Sequence, residues 1–149
     1  MNPLKPRQSV PALTVNTLNG PWSLAEQTPE NFTMVVFYRG LHCPICAKYL
    51  KELNKLAAEF ADAGVSVLAL SSDSEERARE ANQSWELQNL TLGYGVSVEQ
   101  AQAWGLHRSA GSGKCHCSPM VTSGNTNARC PDRPPAHRWH RSATGDFRK

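Results

Sequence analysis

Apolar and polar residues alternate in two short stretches near the start of the chain, on either side of Asn19-Gly20. Such alternation is typical of strands with one buried face, and Asn-Gly between two of them predicts a β-hairpin over residues 9–24. Two compact apolar runs follow, at residues 33–39 and 65–71. Each run predicts a strand that is buried on both faces, as in a parallel sheet.

The segment between these two runs has the periodicity of an amphipathic helix. Its apolar residues recur at steps of three and four, and Gly64 follows the last of them, where glycine commonly ends a helix. We therefore predict a helix over residues 45–63. Its predicted buried stripe comprises Cys46, Tyr49, Leu50, Leu53, Leu56, Ala57 and Phe60.

Two further helices are predicted after the second apolar run. The first is polar and extends to about Leu87, and the second is short and closes at Gly105. Each start carries the signature of a capping box, a Ser or Asp followed three residues later by Glu or Gln. The pairs are Ser72 with Glu75 or Asp73 with Glu76, and Ser97 with Gln100. The order hairpin, strand, helix, strand, helix predicts an α/β fold whose two buried strands are parallel.

A Cys-x-x-Cys pair stands where the first apolar run meets the predicted helix. Cys43 falls at the N-cap, and Pro44 takes the first helical position, where its missing N–H costs nothing. Helix N-termini expose N–H groups and a positive dipole end, which stabilise a thiolate and lower its pKa. Arg39 and His42 precede the pair and can add positive field. We therefore predict that Cys43 is an exposed attacking thiol and Cys46, on the buried stripe, a sheltered resolving thiol.

Two other interpretations of the pair remain open at this point. Both cysteines could be unreactive, because free cysteine is often a small buried hydrophobe. A zinc site would need two more ligands, which a Cys-His-Cys triplet at 115–117 could supply. Adjacent ligands suit a tetrahedral site less well than a second Cys-x-x-Cys, so we expect neither a metal nor another cofactor.

The length and composition of the chain limit the kinds of protein that it can be. A chain of 149 residues is long enough for one domain with a core, and no apolar run reaches the length of a membrane span. The N-terminus lacks the basic-then-apolar layout of a signal peptide, and five cysteines do not pair into a closed secreted framework. We therefore expect a cytoplasmic protein without membrane contact.

The chain changes character after Leu106. Residues 1–106 carry 8 basic and 11 acidic side chains, whereas residues 107–149 carry 8 basic and only 2 acidic ones. The basic residues are dispersed among Pro, Gly, Ser and Thr, without a helical stripe, so we expect no nucleic-acid binding. We predict an incomplete domain at 1–106 and a tail at 107–149 that is disordered or out of register through a shifted reading frame. Its cysteines, Cys115, Cys117 and Cys130, are then incidental.

Four segments together resemble one known family. They are Val10-Pro11-Ala12-Leu13 with Asn19-Gly20 and Leu24, Val35 to Cys46, Val67 to Asp73, and Tyr94 to Leu106. The chain resembles the peroxiredoxin-like redoxins of the alkyl hydroperoxide reductase/thiol-specific antioxidant family, within the thioredoxin-fold superfamily. The resemblance covers about residues 1–106. It implies a thioredoxin-like fold with an N-terminal β-hairpin, truncated in its C-terminal part.

The resemblance implies thiol-based reduction of peroxides or disulfides, an antioxidant activity regenerated by a thioredoxin- or glutathione-type donor. Cys43 matches the reactive cysteine and Cys46 the second cysteine of the pair. Typical peroxiredoxins carry Thr or Ser where this chain has Gly40, and Pro where it has Val36. A disulfide reductase without peroxidase activity, or a degenerate redoxin without catalysis, is therefore the alternative.

The resembled fold also requires two strands and a helix beyond Leu106, with a proline just ahead of the first strand and beside the cysteine pair. The segment 118–121, Ser-Pro-Met-Val, is the one candidate for that strand. Because the remaining tail lacks strand periodicity, we expect the strand that contains Tyr38 to lose its antiparallel neighbour and to become an open edge.

Overall fold

A computed structural model of the chain describes residues 8–106 and a strand at 118–122. Within these residues no helix is long and apolar enough to cross a membrane. The strands are β1 (Thr14–Thr17), β2 (Gly20–Ser23), β3 (Phe32–Phe37), β4 (Val65–Leu70), β5 (Thr91–Tyr94) and β6 (Ser118–Thr122). The helices are α1 (Pro44–Lys55), α2 (Ala57–Asp62), α3 (Glu75–Ser84) and α4 (Val98–Ala103), with a short 3₁₀ turn at Leu24–Glu26.

The strands form one mixed sheet in the order β2-β1-β5-β4-β3-β6. β3, β4 and β5 are parallel, and β1 and β6 join them in antiparallel orientation on opposite sides. The predicted hairpin is confirmed, since β1 pairs with β2 and Thr17 lies opposite Gly20. The α/β class and the parallel pairing of the two apolar runs are confirmed as well.

Helices cover both faces of the sheet, so the central strands carry apolar residues on both of their faces. Along β3, Met34 and Val36 belong to one core with α1 and α3, while Val35 and Phe37 belong to the other core with α4 and β1. The first core contains both cysteines of the pair, and the second is built around the fully buried Trp104. Alternation along one strand thus supplies two separate cores.

The single helix predicted over residues 45–63 is wrong, because the structure divides it at Leu56. Leu56 is both the C-cap of α1 and the N-cap of α2, with a φ of −87° and a ψ of 0°. The predicted buried stripe is also only partly buried, since Tyr49 and Leu56 are 44% and 42% exposed. Gly64 ends α2 with a φ of +69°, as predicted for a glycine at this position.

The capping predictions have different outcomes for the two later helices. Ser97 and Gln100 form the predicted capping box at the start of α4. For α3 the prediction is wrong, because Ser74 is the N-cap residue and makes no side-chain capping hydrogen bond. The side chain of Asp73, which was expected to cap α3, instead points back to the turn after β3.

The expectation of an open edge on β3 is also wrong. β6 pairs with β3 in antiparallel orientation from Thr33 to Phe37, and its residues include the candidate segment 118–121. Pro119 lies within this strand, opposite Val36, and not ahead of it. β6 is an edge strand of the described sheet, and a proline, which lacks an N–H, is tolerated in an edge strand. Residues 107–117 and 123–149 of the predicted tail lie outside the described residues.

Candidate redox site

The cysteine pair lies in the turn that joins β3 to α1, at the carboxyl end of β3. The turn is closed by a hydrogen bond from the Cys43 N–H to the Gly40 carbonyl oxygen, at 3.1 Å. Cys43 is the N-cap residue with extended backbone, and Pro44 occupies the first helical position, both as predicted from the sequence. The carboxyl ends of parallel strands are the usual site of chemistry in open α/β sheets.

The two cysteines are connected by a hydrogen bond and not by a disulfide. The backbone N–H of Cys46 donates to Sγ of Cys43, at 3.3 Å between nitrogen and sulfur. Cys43 therefore caps α1 with its sulfur, as Ser or Asp does with oxygen at other helix starts. A donor aimed at the sulfur stabilises negative charge on it, which is the first requirement for a nucleophilic thiol.

The predicted exposure of Cys43 is wrong: its side chain is 5% exposed, and that of Cys46 is 3% exposed. Because the sulfur of Cys43 turns inward to cap the helix, its side chain joins the core that contains Tyr38 and Leu50. Cys46 is sheltered on the same core, as predicted. A reaction at Cys43 therefore needs either a small substrate or a local opening of the turn.

Tyr38 is the aromatic neighbour of the pair in this core. Its ring meets that of Trp85 edge-on, with centroids 6.2 Å apart. Burial raises the pKa of Tyr38 to about 12, and the nearby Asp73 and Cys46 add to the rise. The Ser71 side chain acts in the opposite direction, although no described group makes a hydrogen bond of standard geometry with the Tyr38 hydroxyl. Tyr38 is therefore a neutral, hydrophobic wall of the site at neutral pH.

A buried carboxylate stands on the other side of the turn. Oδ2 of Asp73 accepts a hydrogen bond from the Leu41 N–H at 2.7 Å, and Oδ1 lies 3.3 Å from Nε of Arg77. Gly40 has a φ of +118°, and a Cβ at this position would lie 2.4 Å from Asp73 Oδ2. The carboxylate thus fills the space beside Gly40. This role of Asp73 has no signal in the sequence, because Asp73 and Leu41 are 32 residues apart and no local pattern connects them.

The three supporting residues predicted from the sequence all lie at the turn. Pro44 and His42 are exposed, and Arg39 is half-buried. Arg39 forms no ion pair with any residue in the described part of the chain, so its charge is available near the turn. The predicted roles of Arg39 and His42 in tuning the thiol stay predictions.

A metal site would need several His, Cys, Asp or Glu side chains close together among residues 8–106 and 118–122. Among these, no group of three His, Cys, Asp or Glu side chains could hold a metal ion. The ligands considered for zinc, Cys115, His116 and Cys117, lie outside the described residues.

Comparison with known proteins supports a redoxin. The sequence model of the AhpC/TSA family matches residues 6–125. A peroxiredoxin-like protein from Aquifex aeolicus has a TM-score of 0.67 at 18% identity, covering 81% of this chain and 71% of that chain. Reduced Prx3 from Vibrio vulnificus, in complex with hydrogen peroxide, has a TM-score of 0.67 at 15% identity, covering 78% and 79%. The thioredoxin domain of a thiol-disulfide oxidoreductase from Bacteroides vulgatus has a TM-score of 0.64 at 19% identity, covering 81% and 83%.

Because the sequence identities are below 20%, these structural likenesses establish the fold alone. A search of curated proteins gives no match to the chain. The family match is the stronger finding, because it extends over most of the chain and includes the turn with Cys43 and Cys46. With a thioredoxin-like architecture and this match together, the chain belongs to the AhpC/TSA family of redoxins.

Proposed function

We propose that the protein is a thiol-dependent oxidoreductase in which Cys43 attacks and Cys46 resolves. The observation that carries this proposal is the N–H of Cys46 directed at Sγ of Cys43, at 3.3 Å. This donor, at the start of α1, favours the anionic sulfur that attacks peroxides and disulfides. The same contact keeps the two residues one helical turn apart, so the second sulfur is close to the first when it is needed.

With a peroxide substrate, the reaction has two protein steps. The Cys43 thiolate attacks one peroxide oxygen, the O–O bond breaks, and an alcohol or water leaves with a proton, so that a sulfenic acid remains on Cys43. The Cys46 thiol then attacks this sulfur and displaces water, which forms a Cys43–Cys46 disulfide. Two thiols of a thioredoxin- or glutathione-type donor reduce that disulfide and are themselves oxidised. A cytoplasmic location would supply such donors.

A specific observation favours disulfides as a second class of substrate. The side chain that would place a hydroxyl beside the peroxide is absent at Gly40, and the Asp73 carboxylate occupies the adjacent space. With a disulfide, the Cys43 thiolate displaces one sulfur as a thiolate and forms a mixed disulfide. Cys46 then releases the second sulfur and closes the same internal disulfide. This reaction needs no hydroxyl at position 40.

The burial of Cys43 restricts how either substrate reaches the sulfur. Leu41 and His42 form the outer part of the turn, and His42 is exposed. Hydrogen peroxide is small enough to require only a slight opening, whereas a protein disulfide requires the turn to move away from Cys43. We therefore expect the ratio of the two rates to report how readily this turn opens.

The test compares the wild type with Cys43→Ser and Cys46→Ser. The reduced proteins are mixed with hydrogen peroxide or with a small aromatic disulfide, then alkylated and mapped by mass spectrometry. In the wild type we expect a Cys43–Cys46 disulfide. In Cys46→Ser we expect one turnover that stops at a sulfenic acid or mixed disulfide on Cys43. The matched control replaces the three tail cysteines at 115, 117 and 130 with serine and should react as the wild type does.

Three outcomes would count against the proposal. The first is a Cys43→Ser variant that consumes peroxide and disulfide at the wild-type rate. The second is a map that joins Cys43 to a tail cysteine and never to Cys46. The third is a pair of unreactive thiols in the folded wild type, which would favour a degenerate redoxin without catalysis.

A further inference from the structure

One peptide group connects the buried carboxylate to the attacking cysteine. The peptide between Gly40 and Leu41 donates its N–H to Asp73 Oδ2 at 2.7 Å. The carbonyl oxygen of the same peptide accepts the N–H of Cys43 at 3.1 Å. Because a peptide group is planar and stiff, fixing one of its ends fixes the direction of the other. The position of Asp73 therefore determines where the backbone of Cys43 is held.

Asp73 is itself held from three directions. Its own N–H donates to Oγ of Ser71, at 3.3 Å, and its carbonyl oxygen accepts the N–H of Gly95, at 2.9 Å. Nε of Arg77, one turn into α3, lies 3.3 Å from Oδ1. The Asp73 side chain is 6% exposed, whereas that of Arg77 is 44% exposed. Burying a carboxylate this completely destabilises the folded protein unless hydrogen bonds or an ion pair compensate for the lost hydration. The partners of Asp73 are therefore needed to keep it in this turn.

Gly40 fits this arrangement sterically. Its φ of +118° lies in a region that side chains rarely adopt, and a Cβ would come within 2.4 Å of Asp73 Oδ2. Without a side chain, the backbone approaches the carboxylate closely enough for the short bond to Leu41. Gly40 and Asp73 therefore act as a matched pair.

We propose that Asp73 is a positioning residue for the redox pair, acting on Cys43 through the Gly40–Leu41 peptide. This inference rests on the proposed function and adds to it the residue that holds the attacking sulfur against the start of α1. When the carboxylate is removed, the turn loses its anchor in the dithiol state, and Cys43 samples positions away from Cys46. Closing the disulfide then costs more conformational entropy, so the pair becomes harder to oxidise.

The readout is the equilibrium of the pair with glutathione, in which two glutathione thiols reduce the protein disulfide and form one oxidised glutathione. Hydrogen bonds to charged groups contribute enough that losing one changes an equilibrium constant by about tenfold or more. For Asp73→Ala we therefore expect the oxidation constant of the Cys43–Cys46 pair to fall at least about tenfold. Asp73→Asn retains an oxygen that accepts the Leu41 N–H and should stay within about threefold of the wild type.

The matched controls lie on the same helix. Arg79→Ala removes an exposed ion pair with Glu75 and should leave the constant unchanged. Arg77→Ala removes the outer partner of Asp73 but leaves the bond to Leu41, so a change of less than about threefold is expected. Circular dichroism of each variant verifies that it is folded. Should Asp73→Ala not fold, hydrogen exchange of the Leu41 and Cys43 amides in the wild type and Asp73→Asn replaces it, and both amides should be protected.

Three results would overturn the proposal. The first two are a folded Asp73→Ala whose oxidation constant equals that of the wild type, and an Asp73→Asn whose oxidation constant falls as far as that of Asp73→Ala. The third is a Leu41 amide that exchanges its hydrogen at the rate of an exposed group. These outcomes are separate from a failure of the proposed function. A wild type that neither consumes peroxide nor reduces disulfides fails the proposed function, whereas the hydrogen exchange rates of the Leu41 and Cys43 amides, compared between the wild type and Asp73→Ala, still test the role of Asp73.

Discussion

Replacing Tyr38 by Phe tests the electrostatics of the buried site directly. The Tyr38 side chain packs against Trp85 and shares a core with both cysteines, and its hydroxyl has no hydrogen bond of standard geometry within the described residues. Burial raises its pKa to about 12, opposed by the Ser71 side chain and helped by the nearby Asp73 and Cys46. The folded protein therefore holds this proton more tightly than the unfolded chain does.

The size and sign of the effect follow from the pKa. Unfolded Tyr38 loses its proton near its ordinary pKa of 10.0, whereas the pKa of folded Tyr38 is about 12. The stabilisation from this proton is fully present below pH 10 and is lost as the pH rises toward 12. Two pKa units correspond to about 2.7 kcal/mol of unfolding free energy. Below pH 10 the Phe variant should be as stable as the wild type or slightly more stable, because it removes an unsatisfied buried hydroxyl.

The assay is urea denaturation of both proteins at a series of pH values from 8 to 11.5. The unfolding free energy of the wild type, relative to Tyr38→Phe, should fall by about 2 kcal/mol over the upper part of this range. Absorbance at 295 nm should show one late-ionising tyrosine that is missing from the variant. Tyr94, whose pKa is raised by its hydrogen bond to Glu75, remains in both proteins and cancels. A stability difference that does not change with pH, or a Tyr38 that ionises near pH 10 in the folded protein, would refute the reasoning.

Three substitutions test the fold around the site, each by urea denaturation. Gly40→Ala should cost about 1–3 kcal/mol or more, because its φ is +118° and the new Cβ would meet Asp73; an unchanged stability would contradict the geometry of the turn. Ser97→Ala removes the capping box of α4 and should cost about 1 kcal/mol, whereas a neutral result would show that the cap contributes nothing. Trp104→Ala empties the centre of the second core and should cost about 3–5 kcal/mol, and a loss below 1 kcal/mol would contradict its complete burial.

The parts of the fold that the sequence predicted correctly are those with local signals. Pro44 after a cysteine marks the start of α1, Gly64 marks the end of α2, and Ser97 with Gln100 marks α4. Each signal depends on backbone groups within one helical turn, so it can be read without tertiary information. The two buried strands were predictable for a similar reason, since an apolar run of six or seven residues fits a strand covered on both faces.

β5 was not predicted, because this strand forms through tertiary contacts and not through a local sequence pattern. It has four residues, and one of them is Gly93, which weakens any strand pattern. In the folded protein a Cβ on Gly93 would lie 2.3 Å from Cδ2 of Leu70, so the missing side chain makes room for the neighbouring strand. The division of the first helix at Leu56 is equally invisible in the sequence, because the periodicity continues through it.

The sequence predicted where the two cysteines lie in the fold, but not the burial and the contacts of the site. Spacing and the strand-turn-helix context placed Cys43 at the N-cap and Cys46 on the buried side. The burial of Cys43 depends on its sulfur accepting the Cys46 N–H, which is a choice of side-chain rotamer that no spacing rule fixes. The contact between Asp73 and Leu41 joins residues on different elements, so only the assembled sheet reveals it.

The glycine at position 40 and the buried carboxylate at position 73 depend on each other sterically. A hydroxyl side chain at position 40 would have to occupy the space that Asp73 fills, and the backbone there is in a conformation suited to glycine. A hydroxyl can donate a hydrogen bond to a peroxide oxygen, whereas a carboxylate oxygen accepts from the Leu41 N–H and offers no donor. The turn therefore gives up a substrate-binding donor and gains a fixed backbone under Cys43. Under the proposed function, we expect a fixed attacking sulfur without that donor to exchange disulfides, in which the leaving group is a thiolate, faster than it cleaves an O–O bond.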